Sequence, residues 1–496
     1  TDVGIFVWNA SPEIHRNRIF NNLSGIVIIA ASEEEYRSSE GSTEEGPSSS
    51  ASPLIVNNEI YEETAGKVDF GIKINSGGYG AAANPEIYHN TLDRGTYEGI
   101  LIENYLENSV SPIIKYNIIT NFSQYGIENG GGSPVIDYND VWNNASGNYA
   151  GCDGFIGING ISENPLYVND AVQNYELQNN ELQKSPCINA IDLDAGDTVK
   201  LDFSGYKRPK GDGFDMGAHE FTGSETDDFV LPTGTGEPED YRIFTVPFTM
   251  TGAELLAQME DVLGTYDQTK WRAFAYINGT YIEFNDPTFL TLSITPGIGF
   301  WIITTLTNTI PFEGHIAPDG VDYKMALEPG WHLIALPWKD TDISLGNIKV
   351  TDGINTYSIT SSSNNLTQRC VWSYTGTGPD SGYEKLDLST DTLKAGVGFF
   401  LKVVSGAQVT VIFPPKNEIL TGATDVRGST GDEEEPPPPP GGKPQDGSEC
   451  PPSVDNRLEN IEFLPGDICD YRFQGTFTIG PGVTIREGAT VTIRPE

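Results

Sequence analysis

A nine-residue motif recurs in the first 141 residues, and no other feature limits so severely what this chain can fold into. It reads SPEIHRNRI at Ser11–Ile19, SPLIVNNEI at Ser52–Ile60, NPEIYHNTL at Asn84–Leu92, SPIIKYNII at Ser111–Ile119 and SPVIDYNDV at Ser133–Val141. The common pattern is Ser/Asn-Pro-x-Ile-x-x-Asn-x-aliphatic. A Gly-Ile pair accompanies each copy, at Gly4–Ile5, Gly25–Ile26, Gly71–Ile72, Gly99–Ile100 and Gly126–Ile127. A unit this short cannot bury its own apolar residues, so successive units have to stack. Ile14, Ile55, Ile87, Ile114 and Ile136 then point inward, one per coil. Asn17, Asn58, Asn90, Asn117 and Asn139 fall at one corner of every coil. Asparagine tolerates a left-handed bend between two short strands, and its amide can bond to the asparagines above and below. The proline fixes φ before the strand and removes a donor there. Successive ladder asparagines stand 41, 32, 27 and 22 positions apart. The shortest spacing is the bare coil, and the longer ones carry loops. One such loop, the Ser/Glu-rich stretch from Ser32 to Ser52, has too few apolar residues to pack and reads as a flexible insertion.

This pattern resembles the right-handed parallel β-helix proteins of the pectate-lyase-like type. VWNNASGNYAGCDG (Val141–Gly154), ISENPLYVND (Ile161–Asp170), SPCINA (Ser185–Ala190) and DFSGYKRPKGDGFDMGAHEF (Asp202–Phe221) follow the ladder. That series resembles the C-terminal end of the β-helix in large bacterial surface proteins. In those relatives a segment like Asp215-Met216-Gly217-Ala218-His219-Glu220 closes the helix, so the resemblance implies a β-helix over 1–221 and a structural role for Asp215, His219 and Glu220.

Other β-helix proteins cleave polysaccharides with clustered carboxylates and a basic residue on one outer face. The candidates for such a set are Asp137, Asp140 and Asp153, with His15, Arg16, His89 and Lys115 near them in sequence. Asp137 and Asp140 sit in a turn-forming context, and the repeat varies freely where a catalytic set would stand, so no catalytic residue is assigned. His315 and His332 are isolated. Asp and Glu outnumber Lys and Arg by 70 to 29, a formal charge of −41. Such a surface repels nucleic-acid phosphates and anionic lipid heads. No apolar run approaches the roughly 18 residues that span a membrane. Calcium is the one ion the acidity would admit, yet no EF-hand or nonapeptide calcium repeat is present. No other cofactor is expected. No signal peptide is visible, but Thr1 falls inside a repeat, so this does not argue against secretion.

Residues 240–415 change character and read as an internal duplication, with halves of about 240–325 and 326–415. Phe244–Phe248 (FTVPF) answers Leu333–Trp338 (LIALPW), and Trp271–Tyr276 (WRAFAY) answers Trp372–Tyr374 (WSY). Thr295–Ile302 (TPGIGFWI) answers Lys394–Leu401 (KAGVGFFL). The alternation predicts a duplicated β-sandwich or a pair of small barrels. One helix is expected, capped by Thr251 with Glu254 completing a capping box. Trp271, Tyr281, Trp372 and Tyr383 are candidates for stacking on sugar rings, against the alternative that the tryptophans anchor the core. Residues 222–239 read as a linker.

An acidic run, Gly431–Glu435, precedes five prolines, Pro436–Pro440, in a second linker spanning 416–449. The prolines predict a stiff polyproline II spacer. Beyond it, residues 450–496 read as the start of another β-helix. There Thr476, Thr478, Thr484 and Thr492 alternate with Phe477, Ile479, Val483, Ile485, Val491 and Ile493. The fold class expected is therefore all-β: β-helix, duplicated β module, then a short β-helix-like strand segment. The cysteines lack any CxxC spacing, which excludes the common zinc and redox motifs. Cys450 with Cys469, and Cys152 with Cys187, are candidate disulfides, leaving Cys370 as a buried small hydrophobe; connectivity cannot be read from sequence. The pattern suits an extracellular or cell-surface protein. Sequons at Asn144, Asn278 and Asn365 are weak glycosylation signals. The leading expectation is a subunit of a surface fibre or stalk, in which the C-terminal strands of one subunit stack head to tail on the N-terminal coil of the next. One period of a longer polypeptide, or a piece of one, fits the same pattern. A polysaccharide-binding or polysaccharide-degrading surface protein, or an adhesin, are the alternatives, with glycans as partners.

Overall fold

A computed structural model describes residues 3–31, 50–63, 66–76, 81–104, 109–179, 183–231, 240–375, 382–386, 392–416, 436–440 and six short strands between 457 and 495. The Ser/Glu-rich loop, residues 32–49, lies outside them. The chain divides into two units, Thr1–Gly223 and Ser224–Glu496.

The first unit is a stack of parallel coils. Its longest sheet runs Val3–Trp8, Ser24–Ala30, Phe70–Ser76, Ile100–Asn104, Tyr125–Gly130 and Gly147–Ala150. A second sheet takes Glu13–His15, Leu54–Val56, Glu86–Tyr88, Ile113–Lys115 and Val135–Asp137. A third takes Arg18–Phe20, Glu59–Tyr61, Thr91–Gly95, Ile118–Phe122 and Asp140–Trp142. Every pairing among these strands is parallel and in register, so like side chains stack. Ile14, Ile55, Ile87, Ile114 and Ile136 form one buried column. Ile19, Ile60, Leu92, Ile119 and Val141 form another. Ile26, Ile72, Ile100 and Ile127, on the long sheet, close the lumen. Each buried aliphatic side chain contributes about 1.5–3 kcal/mol relative to exposure.

The Gly of each Gly-Ile pair is required by contact, not by an unusual φ. A Cβ at Gly25 would stand 2.5 Å from both the Gly71 carbonyl oxygen and Ile60 Cγ2. At Gly99 it would meet Ile119 Cγ2 at 2.4 Å and the Gly126 carbonyl oxygen at 2.6 Å. Only a bare backbone lets the long sheet approach the aliphatic column of the third.

The ladder amides are continuous. Asn17 Nδ2 donates to Asn58 Oδ1 at 2.9 Å, Asn58 to Asn90 at 2.9 Å, Asn90 to Asn117 at 3.0 Å and Asn117 to Asn139 at 2.9 Å. The backbone N–H of each donor residue bonds to the same oxygen. The left-handed bend, however, is not made by these asparagines. It falls one residue earlier, at Arg16, Asn57, His89, Tyr116 and Tyr138, with φ between 51° and 66°. The bend turns those side chains outward and leaves the next residue's amide free to join the ladder.

In the second unit each half is a pair of four-stranded antiparallel sheets. Strand Glu225–Val230 pairs with Thr309–Ile316 along its whole length, so it belongs to the module and not to a linker. Its counterpart, Tyr323–Leu327, opens the second half a few residues before the expected boundary. Helix α1 (Gly252–Leu263) carries the full capping box of Thr251 and Glu254 and buries Leu255, Met259 and Leu263. On α1, Gln258 bonds both ways to the backbone of Glu313, at 2.9 Å each, at the edge of strand Thr309–Ile316. In the second half a hairpin, Lys349–Thr351 with Thr356–Ser358, takes the helix's place beside the equivalent strand Val409–Phe413. The two halves share a cluster that includes Tyr241, Phe274, Trp301, Trp331, Trp372 and Phe400. Trp271 and Trp372 are both buried, so they anchor the cores and are not open to a sugar.

The C-terminal strands pair with one another in parallel. Arg457–Leu458 lies beside Thr478–Ile479, Glu462–Phe463 beside Thr484–Ile485, and Ile468–Phe473 beside Thr490–Pro495. Of the strand residues expected here, Thr476, Phe477 and Val483 lie outside the described residues, as do Cys450 and the side chain of Cys469. No helix among the described residues is long and apolar enough to cross a membrane.

Candidate functional site

The outward-turned corner residues of the second sheet are handles for the segment 185–221. Arg16 Nε donates to Phe203 O at 2.8 Å, and Tyr116 OH to Ala195 O at 3.2 Å. His89 Nε2 lies 2.7 Å from Asp197 Oδ2. Burial and the neighbouring Arg208 guanidinium push His89 down to about 4, so the neutral imidazole faces an anionic Asp197. Behind these contacts sits a buried polar clasp. Arg208 pairs with Glu220 at 2.6 Å and donates to Gly217 O at 2.7 Å. Asp215 accepts from the backbone N–H groups of Asn189 and Phe221. His219 Nε2 lies 2.6 Å from Glu59 Oε1, and Glu59 also holds Arg18. The carboxylates and His219 are spent on backbone donors and on each other, which leaves no unpaired nucleophile or base in the clasp.

Cys152 and Cys187 are free. Cys152 packs inside the lumen with its thiol 3.2 Å from Ala150 O, whereas Cys187 lies in the outer cluster with its thiol 3.3 Å from Asp140 Oδ2. The coil wall separates them, so the expected disulfide does not form. Burial pushes the Cys152 thiol up to about 11 and the Asp140 carboxyl up to about 6. Asp137 is occupied otherwise: it accepts from the backbone N–H groups of Tyr138 and Asn159 and from Asn159 Nδ2, at 3.0, 3.1 and 3.1 Å. Lys115 is its register neighbour, Asp153 is exposed elsewhere, and Asp140 lies on a different sheet, bonded to Glu163 N and Cys187, so these residues form no common site. Cys370 is buried, as expected of a small hydrophobe. Among the described residues no three His, Cys, Asp or Glu side chains converge as a metal site.

A different corner forms a pocket. Arg94, Asn121 and Asn143 take φ of 63°, 63° and 55° at the end of the third sheet and turn outward in a row. Asn143 Nδ2 donates to Asn121 Oδ1 at 2.7 Å, and Asn121 Nδ2 to Asp93 Oδ1 at 2.7 Å. Asp93 also accepts from Thr120 at 2.8 Å and from Tyr175 OH at 3.1 Å. Burial raises the Asp93 carboxyl above its ordinary range, against the pull of Arg94 and of these donors. Arg94 reaches on to Asp170 at 2.8 Å. The strands Tyr167–Asn169 and Asn174–Leu177 fold over this row. Between them lies a cavity of about 360 Å³, lined by Asn121, Asn143, Asn164, Asp170, Gln178 and Gln183, with Trp142, Pro165, Leu166 and Tyr167. Amides present donors and acceptors together, and an indole supplies a flat apolar face; that combination suits a ring bearing hydroxyls on its edge and C–H groups on its face. None of the pocket residues was singled out by the repeat, because Trp142 and Asn143 follow its last copy and Asn164–Gln183 lie outside it.

On the outer side of the long sheet a second polar group stands beside aromatics. Burial, and the carboxyl of Glu128 hydrogen-bonded to it, push Glu98 up to about 7. Lys73 pairs with Glu103 at 2.9 Å and lies over the Phe70 ring at 5.1 Å, while Phe70 stacks on Tyr97 at 5.2 Å.

No curated protein and no solved structure matches the chain. Residues 3–182 match the family model described as the right-handed β-helix region, and with their parallel, in-register sheets and stacked columns they are a right-handed parallel β-helix.

Proposed function

We propose that this is an extracellular surface protein whose β-helix is a rigid scaffold for a glycan-binding pocket. The amide- and indole-lined cavity beneath the 164–183 segment carries this reading. Its size suits one or two sugar rings, and its one carboxylate, Asp170, is already engaged by Arg94. The aromatic pair Phe70 and Tyr97 offers a further contact for a chain lying along the long sheet. The reading is binding, not cleavage, since the carboxylates beside the cavity are committed to internal partners. Affinity electrophoresis of the full chain against a panel of neutral and acidic polysaccharides tests it. Retardation by at least one polysaccharide is expected, weakened about tenfold or more in Trp142→Ala. No retardation by any of them, or equal retardation of the variant, would remove the pocket reading. Release of new reducing ends would instead make the protein an enzyme.

A second reading, the head-to-tail fibre or stalk, draws on the parallel coil pairing of residues 457–495. Such strands can add to the edge of another β-helix. Electron microscopy of the full chain and of a chain ending before Gly475 separates the two cases. Filaments that vanish on truncation support it; dispersed particles in both samples dismiss it.

A further inference from the structure

The five prolines are not free in solution. Tyr281 OH donates to the Pro438 carbonyl oxygen at 2.6 Å, and Tyr383 OH donates to the carbonyl of Pro437. Pro436 and Pro440 are buried, and Pro438 is exposed. The two tyrosines are counterparts in the duplication. Tyr281 is the cross-strand partner of Tyr276 in the first half, and Tyr383 is the partner of Tyr374 in the second. The rings of each pair stand 4.9 and 5.3 Å apart. Phe400 lies between the pairs, 5.7 Å from both Tyr276 and Tyr383.

The chemistry fits one kind of ligand. A proline run has no N–H, so its carbonyls are its only polar groups, and they have no partner within the run. In polyproline II the chain turns once in about three residues, so consecutive carbonyls diverge by roughly 120°. Two hydroxyls brought from two halves of a duplicated module can therefore each take one of two successive carbonyls. Burial raises both hydroxyls far above the ordinary tyrosine range, which keeps them protonated and donating. The helix is already formed before it docks, so little conformational freedom is lost on binding.

We infer that the tyrosine pairs of the duplicated module form a polyproline II recognition site, and that its resident ligand is this chain's own Pro436–Pro440. The site is independent of the glycan pocket. In the chain, 19 residues (417–435) separate Lys416, just past strand Val409–Phe413, from the docked prolines. Site and ligand share one chain, so docking is intramolecular.

The test uses the full chain with Pro436–Pro440 replaced by five alanines, and a fluorescein-labelled peptide GDEEEPPPPPGGK as the probe. Fluorescence anisotropy is expected to report binding to the replaced chain. The natural chain should bind the peptide at least about tenfold more weakly, since its own prolines occupy the site. Adding Tyr281→Phe and Tyr383→Phe to the replaced chain should weaken binding about tenfold, as both hydroxyl donors are lost while the rings remain. Circular dichroism and the melting midpoint establish that each variant is folded. A folded replaced chain that fails to bind the peptide would overturn the inference, and so would equal binding with and without the two hydroxyls.

Discussion

At the scale of single residues, the polar groups inside the β-helix work because each is fully partnered. Asn90 is completely buried; its oxygen takes two donors from Asn58, and its amide reaches Asn117. Asn90→Ala strands those partners, and a loss of about 3 kcal/mol is expected from the midpoint of the β-helix transition in urea. Glu98 sets a pH dependence. Its pKa is about 7 in the fold and 4.5 as an ordinary carboxyl, so the fold holds a proton that the unfolded chain releases. Its penalty is absent below pH 4.5, grows between 4.5 and 7 and is complete above 7, so stability falls across that window. Asp140, raised from 3.8 to about 6, adds to the same slope at lower pH. His89 acts oppositely: with its pKa lowered from 6.5 to about 4, the fold loses stability as pH falls through that window. Melting curves at pH 5 and pH 8 should lie closer together for Glu98→Gln than for the natural chain. An unchanged gap would mean that Glu98 is not the group responsible.

At the scale of elements, the glycine row is the tightest constraint. Gly99→Ala places a methyl group against Ile119 and the Gly126 carbonyl, and a loss of about 2–3 kcal/mol is expected in the same urea transition. The coils were legible in the sequence because a stacked coil must repeat Ile and Asn at fixed offsets, and it does so with few exceptions. What was not legible depends on contacts between distant residues. The left-handed bend sits on Arg16, Asn57, His89, Tyr116 and Tyr138, which are of four different types; the property common to all five is the position before the ladder asparagine. Strand Glu225–Val230 reads as a linker because three of its six residues are acidic, yet it pairs at full length with Thr309–Ile316. Cys152 and Cys187 look like partners in one dimension, while the coil wall puts them on opposite sides. The pocket joins a coil corner to a hairpin about 20–60 residues further on, and the proline site joins Tyr281 to Pro438 across 157 positions. No local pattern encodes either.

At the scale of the whole molecule, the two units hold separate cores, with the columns of aliphatic side chains in one and the aromatic sheets in the other. Calorimetry of the full chain is expected to resolve two transitions, with Asn90→Ala moving one and leaving the other in place. A single transition that shifts as a whole would mean that the units unfold together. The asparagine row has a further consequence. Every amide in it points the same way, from Asn17 toward Asn139, so the row is a chain of aligned dipoles with an oxygen at its first member. A coil joining on the Asn17 side must bring N–H groups to that oxygen, whereas at the other end Asn139 spends its amide on Ile114 O and Asp137 O, beneath the bridges of Ile156 and Ile161. Two copies meeting at their Asn17 ends would set carbonyl oxygen against carbonyl oxygen. The row is therefore polar by electrostatics alone, and a two-fold contact through the Asn17 end is disfavoured before any side chain on the surface is considered.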